Sequence, residues 1–285
     1  MTSLRYLLFL VFSVALLLTM SKTINACMCG QRPPVLDAFE QSDEVVILRS
    51  VSVEKAEDTQ AQDFANGIKS ITMVVEKVFK GKLNVRDEIV FAQSRGSDCL
   101  WTFDDESMDQ QFLFYLTRPE KLSYRPRSGL WLVSACGRST HLDWAGEDLL
   151  YLQKMAKLRG KTRISGSIGG GYDDPDLDVD GKKIKIIGPN KTYQTKTNKD
   201  GVFEIYDLPP GKYFVEPETP AGWKIDPSYL IHSLSVVLDN SGQPEMKSPK
   251  QVAITLEPKK HASVNFVLTV DNSVRGKVLD PKGKE

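Results

Sequence analysis

The sequence lacks several features that mark common functional classes. Its 285 residues carry 37 basic and 37 acidic side chains, so no excess of one charge favours a nucleic acid or an anionic lipid as the partner. Histidine is scarce, and His141, His232 and His261 lie in no motif with a serine or cysteine nucleophile or with a second metal ligand. We therefore expect a protein that is not an enzyme.

Long apolar runs are absent after the N-terminus. The run from Tyr6 to Met20 follows Arg5 and precedes a polar stretch that ends at Ala26, which is the layout of a secretory signal peptide. The run is shorter than the roughly 20 apolar residues that cross a bilayer. We expect a signal peptide over residues 1–26, an exported mature chain and no membrane span.

Residues 24–27 also resemble a bacterial lipobox, in which Cys27 would be lipidated and its amine acylated. Asn25 is unusual in that motif, and a polar spacer separates it from the apolar run. The sequence therefore leaves lipid anchoring at Cys27 open beside secretion.

Cysteine is also scarce, since only Cys27, Cys29, Cys99 and Cys136 occur. An exported chain with an even number of cysteines usually pairs them. Cys27 and Cys29 are too close to bond to each other comfortably, so each should reach one of the two distant cysteines. A zinc site is the alternative, but it lacks a second closely spaced cysteine pair and a nearby histidine.

Residues 27–158 contain all the cysteines and predict a first, mainly β domain. An amphipathic helix is predicted over Glu147–Leu158, with Leu149, Leu152, Met155 and Ala156 on its apolar face and Gly160 as its stop. A shorter helix is predicted over Val35–Ser42. The predicted strands, which suffice to close a small barrel, are Glu44–Glu54, Ser70–Phe79, Asp87–Gln93, Gln111–Arg118 and Leu130–Ala135.

A second domain begins after Gly160, where glycine and proline rise and the apolar runs become short. The turn Lys199-Asp200-Gly201 is a strong hairpin signal. We expect a seven-stranded, Ig-like or prealbumin-like β-sandwich over residues 162–270. Candidate strands are Ile164–Ile168, Lys183–Ile187, Tyr193–Thr197, Val202–Tyr206, Lys212–Glu216, Ser233–Leu238, Val252–Leu256 and Ala262–Val270.

The last residues repeat a pattern from the start of the sandwich. Val274-Arg275-Gly276-Lys277-Val278 matches Ile164-Ser165-Gly166-Ser167-Ile168 in the position of its glycine. Such self-similarity is typical of repeated modules. We expect residues 273–285 to begin a further repeat that is cut short.

The mature start Cys27-Met28-Cys29, followed by Ala38-Phe39, Ser42-Asp43 and Val45-Val46, resembles the N-terminal domain of the tissue inhibitors of metalloproteinases, a netrin-like module. The resemblance implies an OB-type five-stranded β-barrel with flanking helices over residues 27–158, and disulfides Cys27–Cys99 and Cys29–Cys136. In that family the first cysteine's α-amine and carbonyl oxygen chelate the protease zinc, and the second residue enters the adjoining pocket. Those roles would fall to Cys27 and Met28. The sequence departs from the family in lacking a third cysteine pair in this domain and the cysteine-rich C-terminal domain.

Residues 162–270 resemble a carboxypeptidase regulatory-like domain, a prealbumin-type sandwich related to collagen-adhesin B modules. The resemblance is carried by three stretches, residues 200–203, 208–213 and 219–223, which read DGVF, LPPGKY and TPAGW. It implies a stalk, a spacer or a surface that contacts protein or carbohydrate. No peptidase residues accompany it.

An acidic run over residues 173–181 alternates carboxylates and ends in glycine, like the first half of a calcium loop. Asp176, Asp178 and Asp180 would be the ligands. The twelfth position from Asp176 is Ile187 instead of a bidentate glutamate, so a solvated acidic loop is the alternative. No other cofactor is expected.

Two covalent modifications can also be considered. Some adhesin B modules cross-link a lysine to an asparagine beside a buried carboxylate, for which Lys183 or Lys185, Asn265 and Glu216 are candidates. None of these lysines clearly occupies the family's position, so Glu216 is more simply a surface strand residue. Asn190 begins a glycosylation sequon.

The sequence thus predicts a secreted, non-enzymatic extracellular binding or adhesion protein. Its expected partner is an extracellular protein or carbohydrate. The alternative is a metalloendopeptidase inhibitor that chelates the protease zinc through the α-amine and carbonyl of Cys27.

Overall fold

The computed structural model describes residues 29, 31–57, 65–93, 99–118, 130–158, 160–170, 177–233 and 235–271. The expected signal peptide and the expected further repeat lie outside these ranges. Within them, no helix combines the length and apolar character that a membrane crossing requires. The described residues form fifteen strands in three sheets, which confirms the predicted mainly β class.

The first module is an antiparallel sheet with the strand order β3-β2-β1-β4-β5. Its strands are β1 (Glu44–Lys55), β2 (Ile68–Lys80), β3 (Glu88–Ala92), β4 (Gln111–Leu116) and β5 (Thr140–His141). Strand β1 is buried on both faces because apolar residues occupy consecutive positions from Val45 to Leu48. Val46 packs with an aromatic core that includes Phe112 and Phe114, whereas Val45 packs towards the helices.

Three short helices cover the other face of this sheet. They are α1 (Val35–Gln41), α2 (Gly146–Leu152) and α3 (Met155–Leu158). The helix predicted over residues 147–158 is therefore divided by a turn at Gln153 and Lys154. Tyr151 and Leu152 are buried, but Ala156, predicted on the apolar face, is exposed because the turn changes the phase of the last residues.

The described strands do not close into the predicted barrel. Leu130–Ala135, predicted as the fifth strand, forms only single bridges, from Trp131 to Phe91 and from Ser134 to Leu100. Its backbone hydrogen bonds are divided between strand β3 and the segment 99–101, so neither pairing extends into a ladder. The fifth strand of the sheet is instead β5.

The second module is two sheets with one apolar core between them, which confirms the predicted β-sandwich. One sheet has the order β12-β13-β10-β7-β8, and the other has β11-β15-β6-β14 with β9 paired to β6. Their strands are β6 (Arg163–Gly170), β7 (Lys183–Ile187), β8 (Thr192–Lys196), β9 (Val202–Tyr206), β10 (Gly211–Pro217), β11 (Trp223–Ile225), β12 (Met246–Ser248), β13 (Gln251–Leu256), β14 (His261–Ser263) and β15 (Phe266–Val270). The core joins Ile184, Val215 and Ile254 of one sheet to Ile164 and Phe266 of the other.

The sandwich has ten strands instead of the seven predicted. The strand predicted over residues 262–270 is interrupted between β14 and β15, although both halves keep one parallel register with β6. The described residues of the predicted strand Ser233–Leu238 form only single bridges, to Arg32, Ile254 and Pro244. They do not become a strand because their backbone bonds are shared among these three neighbours.

Gly166 lies at a close approach of two backbones inside the sandwich. A Cβ atom here would lie 1.8 Å from the carbonyl oxygen of Val264. We expect Gly166→Ala to lower the free energy of unfolding by about 2–3 kcal/mol, because the backbone must move to admit the methyl group. Urea denaturation measures this loss.

Gly169 on the same strand is the matched control, since a Cβ there would have no neighbour within 4 Å. Gly169→Ala should change the free energy of unfolding by less than about 1 kcal/mol. Equal losses in the two variants would show that the contact with Val264 is not the cause.

Candidate functional site

The two modules meet at a set of charged side chains, all buried except the half-buried Glu204, which we call the junction cluster. It comprises Arg138 in the loop before β5, Glu147 and Asp148 in the first turn of α2, Arg163 in β6 and Glu204 in β9. Arg138 and Arg163 are 2% and 0% exposed. Buried charges are tolerated only when they are paired and hydrogen-bonded, so the partners of each charge decide what the cluster does.

Arg138 forms a two-pronged ion pair with Asp148. Its Nε lies 2.8 Å from Oδ1 and its Nη2 2.6 Å from Oδ2 of that carboxylate. Nη2 also donates to Glu147 at 2.9 Å, and Nη1 donates to the carbonyl of Pro33 at 2.9 Å. Burial alone would lower the pKa of Arg138, but Asp148 and Glu147 outweigh it and hold this pKa well above its ordinary value.

Glu147 joins the modules because one of its carboxylate oxygens bonds to the first module and the other bonds to the second. Oε2 accepts from Arg138, whereas Oε1 accepts from Ser165 at 2.7 Å and from Ser263 at 3.2 Å in the sandwich. Burial alone would raise the pKa of Glu147, but Arg138 and Arg163 lower it to about 2. The carboxylate therefore stays ionised between the modules.

Arg163 extends the ion network into the sandwich. Its Nη2 lies 3.1 Å from a carboxylate oxygen of Glu204, and its guanidinium lies over the ring of Tyr151 at 5.1 Å. Glu204 also accepts from the hydroxyl of Tyr206 at 2.6 Å and pairs with Lys154 of the first module at 3.0 Å. Stacked and paired in this way, Arg163 is held from both sides of the junction.

The segment that precedes α1 crosses from the first module to the second. The amide of Arg32 donates to the carbonyl of His232 at 2.7 Å, and its Nη2 donates to the carbonyl of Arg138 at 3.2 Å. On α1, Asp37 pairs with Lys260 at 2.9 Å. These contacts add backbone and surface bonds to the buried cluster.

The disulfide Cys29–Cys136 is present, with Cα atoms 4.9 Å apart, as the resemblance implies. Cys99 is also disulfide-bonded, and the described part of the chain holds no free cysteine. Cys27, its expected partner, and Met28 lie outside the described residues. Cys136 precedes Arg138 by two residues, so the bridge ties the N-terminal segment to the loop that carries Arg138.

His261 is a buried imidazole at the edge of the cluster. It is 4% exposed, and its ring packs edge-on against Tyr151 with centroids 4.7 Å apart. Within the described residues its ring nitrogens make no hydrogen bond of regular geometry, although the backbone of Lys161 weakly favours the charged form. Burial, reinforced by Arg163, lowers the pKa of His261 to about 4.

Stability should therefore fall as the pH drops from 6.5 to 4. In the unfolded chain the histidine has a pKa near its ordinary 6.5 and binds a proton over this interval. In the folded protein His261 stays neutral until the pH reaches about 4, so protonation favours the unfolded state. The loss reaches up to about 3 kcal/mol and stops below the folded pKa. Urea denaturation at a series of pH values measures it.

The matched variants are His261→Gln and His232→Gln, because His232 is exposed. His261→Gln should flatten the dependence on pH between 6.5 and 4, and His232→Gln should leave it as in wild type. An unchanged slope in His261→Gln would show that another group causes the loss. The low pKa of Glu147 acts in a separate window, since its contribution is lost only as the pH falls from about 4.5 towards 2.

The residues expected to bind calcium are engaged with one another where they are described. Asp178 pairs with Lys182 at 2.7 Å and accepts from the amide of Asp180 at 3.2 Å, while Asp176 lies outside the described residues. Across the described ranges, no group of three or more histidine, cysteine or acidic side chains is placed to hold a metal ion. Calcium binding stays a prediction.

The lysines and the asparagine considered for a cross-link lie in different sheets. Lys185 and Glu216 are register partners on β7 and β10. Asn265 follows β14 in the other sheet, where its Oδ1 accepts from the amide and the hydroxyl of Ser167, both at 3.1 Å. Asn265 thus substitutes for a backbone acceptor at the interruption between β14 and β15.

The junction cluster suits mechanical coupling better than catalysis. Glu147 and Asp148 are buried, and their oxygens accept from Arg138, from Ser165 and Ser263, and from Tyr115. All four carboxylate oxygens are therefore already engaged by donors of the protein itself.

No family model matches the chain, and no curated protein matches it. Matching solved structures include DUF3823 family proteins from Parabacteroides merdae (18% identity, TM-score 0.23, 39% of this chain and 46% of that chain) and Bacteroides ovatus (15%, 0.23, 37% and 44%). Another is GBS52, the minor pilin of Streptococcus agalactiae (10%, 0.27, 83% and 87%). The chain thus spans less than half the length of the two DUF3823 proteins, and at these TM-scores the likenesses do not establish a shared function.

Proposed function

We propose that this chain is an exported binding protein, not an enzyme, whose two β modules act as one rigid unit. The observation that carries the proposal is Glu147, which is buried and bonded to both modules through its two oxygens. Domains that move independently usually meet through small, polar interfaces that stay hydrated, whereas here separation would break the buried bonds of Glu147 to Ser165 and Ser263 and the ion pair of Lys154 with Glu204. A rigid junction reduces the ordering cost when a partner contacts both modules.

The cysteines support export to an oxidising compartment. The Cys29–Cys136 disulfide and the oxidised state of Cys99 suit an extracellular or cell-surface protein, as does the signal-peptide pattern of residues 1–26. A netrin-like first module is part of the proposal, supported by the five-stranded sheet, its helices and this disulfide. The partner is an extracellular protein or carbohydrate.

Nuclear magnetic relaxation of backbone nitrogen-15 tests the rigid unit. Both modules of the wild-type protein should show one rotational correlation time. Separate, shorter values for the two modules would contradict the proposal.

Intact mass, taken before and after reduction and alkylation, tests the exported state. We expect a chain that begins at Cys27 with all four cysteines oxidised. Free thiols in the exported protein would contradict a disulfide-bonded protein. An added lipid would place the protein at a membrane surface and exclude a free Cys27 amine.

The second candidate function is inhibition of a zinc metalloprotease through the α-amine and carbonyl of Cys27. The Cys29–Cys136 disulfide favours this function, because a bridge next to Met28 would hold the zinc-binding N-terminal residues rigid. An inhibition assay should then show activity that is lost in Met28→Gly and in a variant with one extra N-terminal residue. Equal inhibition by the wild-type protein and these variants would exclude zinc chelation through the N-terminal residues.

A further inference from the structure

Trp144 is the most exposed of the large apolar side chains in the described part of the chain, at 70%. It ends a short 3-10 helix over Leu142–Trp144, which directly follows β5. The next residue, Ala145, is fully buried, and its amide closes the turn by donating to the carbonyl of Leu142 at 3.0 Å. The backbone that presents this indole is therefore fixed.

The indole itself is held by a stack of rings that reaches the core. Trp144 packs on His141 with centroids 5.2 Å apart, and His141 packs on Phe112 at 4.6 Å and on Trp101 at 5.7 Å. Phe112 is fully buried. A side chain ordered in advance loses little conformational freedom on binding, and tryptophan is enriched among residues that dominate binding energy.

The second module contributes to the same surface. A Cβ atom on Gly146, two residues after Trp144, would lie 3.3 Å from Cγ2 of Val202 and 3.6 Å from Cβ of Asp200. The β8–β9 turn thus lies beside the chain that carries Trp144. This neighbourhood depends on how the two modules dock.

Among the exposed side chains next to Trp144 in the chain and in the β8–β9 turn, acidic residues outnumber basic ones. Asp143 precedes the indole and is exposed, and Asp200 and Lys199 in the adjacent turn are also exposed. These three side chains leave one net negative charge. A tryptophan face attracts a lysine or arginine cation, and nearby carboxylates strengthen that attraction.

We infer that Trp144, Asp143 and Asp200 form a contact surface for a lysine or arginine side chain of a protein partner. The cation lies over the indole and is flanked by a carboxylate from each module. This inference rests on the proposed function, since it names the surface and the partner chemistry of the rigid binding unit. A carbohydrate would use the ring without needing the carboxylate charges.

Titration with the peptide acetyl-Gly-Arg-Gly-Arg-Gly-amide tests the surface, followed through the indole N–H resonance of Trp144. Trp144→Phe identifies that resonance among those of the four tryptophans. The wild-type resonance should shift saturably. The double variant Asp143→Asn/Asp200→Asn should bind at least threefold more weakly, and the same peptide with citrulline in place of arginine should give no shift.

Asp105→Asn is the matched control, because Asp105 is an exposed carboxylate elsewhere on the first module, and it should bind like wild type. Equal binding of the citrulline peptide, or unchanged binding by the double variant, would overturn the inference. A shift caused by a chitin or cellulose hexasaccharide but not by the peptide would also overturn it. If the peptide does not bind while both modules share one rotational correlation time, the inferred contact surface is wrong and the proposed function stands. Separate correlation times contradict the proposed function whether or not the peptide binds.

Discussion

Arg138→Ala should lower the free energy of unfolding by about 3–5 kcal/mol, the usual cost of removing one partner from a buried ion pair. The change leaves Asp148 and Glu147 buried without their main positive partner and the Pro33 carbonyl without its donor. It also opens a cavity at the module boundary. Urea denaturation measures the loss, and nitrogen-15 relaxation shows whether the modules begin to move separately.

Lys55→Ala is the control for this variant. Lys55 pairs with Asp105 on the surface, where the two side chains are 64% and 70% exposed. Exposed pairs of this kind contribute little, so the loss should be less than about 1 kcal/mol. If Arg138→Ala does not fold, Glu147→Gln keeps the shape and removes one charge, and it should still destabilise the protein by about 1–3 kcal/mol. A loss no larger than that of Lys55→Ala would contradict the role assigned to the cluster.

The double variant Cys29→Ser/Cys136→Ser should lower the free energy of unfolding by about 4 kcal/mol. The two cysteines are 107 residues apart, and a cross-link over a long segment restricts the unfolded chain strongly. The bridge also fixes the segment that brings the Pro33 carbonyl to Arg138. Urea denaturation of the variant and of the wild-type protein measures the difference.

The slope of that denaturation curve distinguishes the two causes. If the disulfide acts through the unfolded state, the dependence of the free energy on urea should become steeper, because the unlinked chain exposes more surface. If it acts only by placing Pro33, the slope should stay the same. A change in the free energy of unfolding below about 1 kcal/mol would exclude both.

Much of the local structure could be predicted from alternation along the chain. Strands β7 (Lys183–Ile187) and β9 (Val202–Tyr206) have the bounds that the pattern predicts, because each needs only a side-chain period of two and a nearby turn. Helix α3 ends at Leu158 and strand β6 begins at Arg163, on either side of Gly160, where the sequence predicts a boundary between domains. The segments Leu130–Ala135 and Ser233–Leu238 carry the same pattern, but their described residues bond to several neighbours and form no strand.

The junction cluster was not predicted, although part of its signal is local. Glu147 and Asp148 lie one helical turn before the buried Tyr151 and Leu152, so they share the inward face of α2. That spacing shows that the carboxylates point inward, but it does not name their partners. Likewise the patterns around Trp144 say nothing about Asp200, which is far away in sequence.

The sequence by itself determined the mainly β class and the presence of disulfide chemistry, because these depend on composition and on spacing over a few residues. Only the tertiary structure decided which charges meet. Arg138 and Glu147 are close in sequence, but Ser263 reaches the same carboxylate from 116 residues away. Such a contact depends on how two finished modules dock, and no periodicity within either module records that geometry.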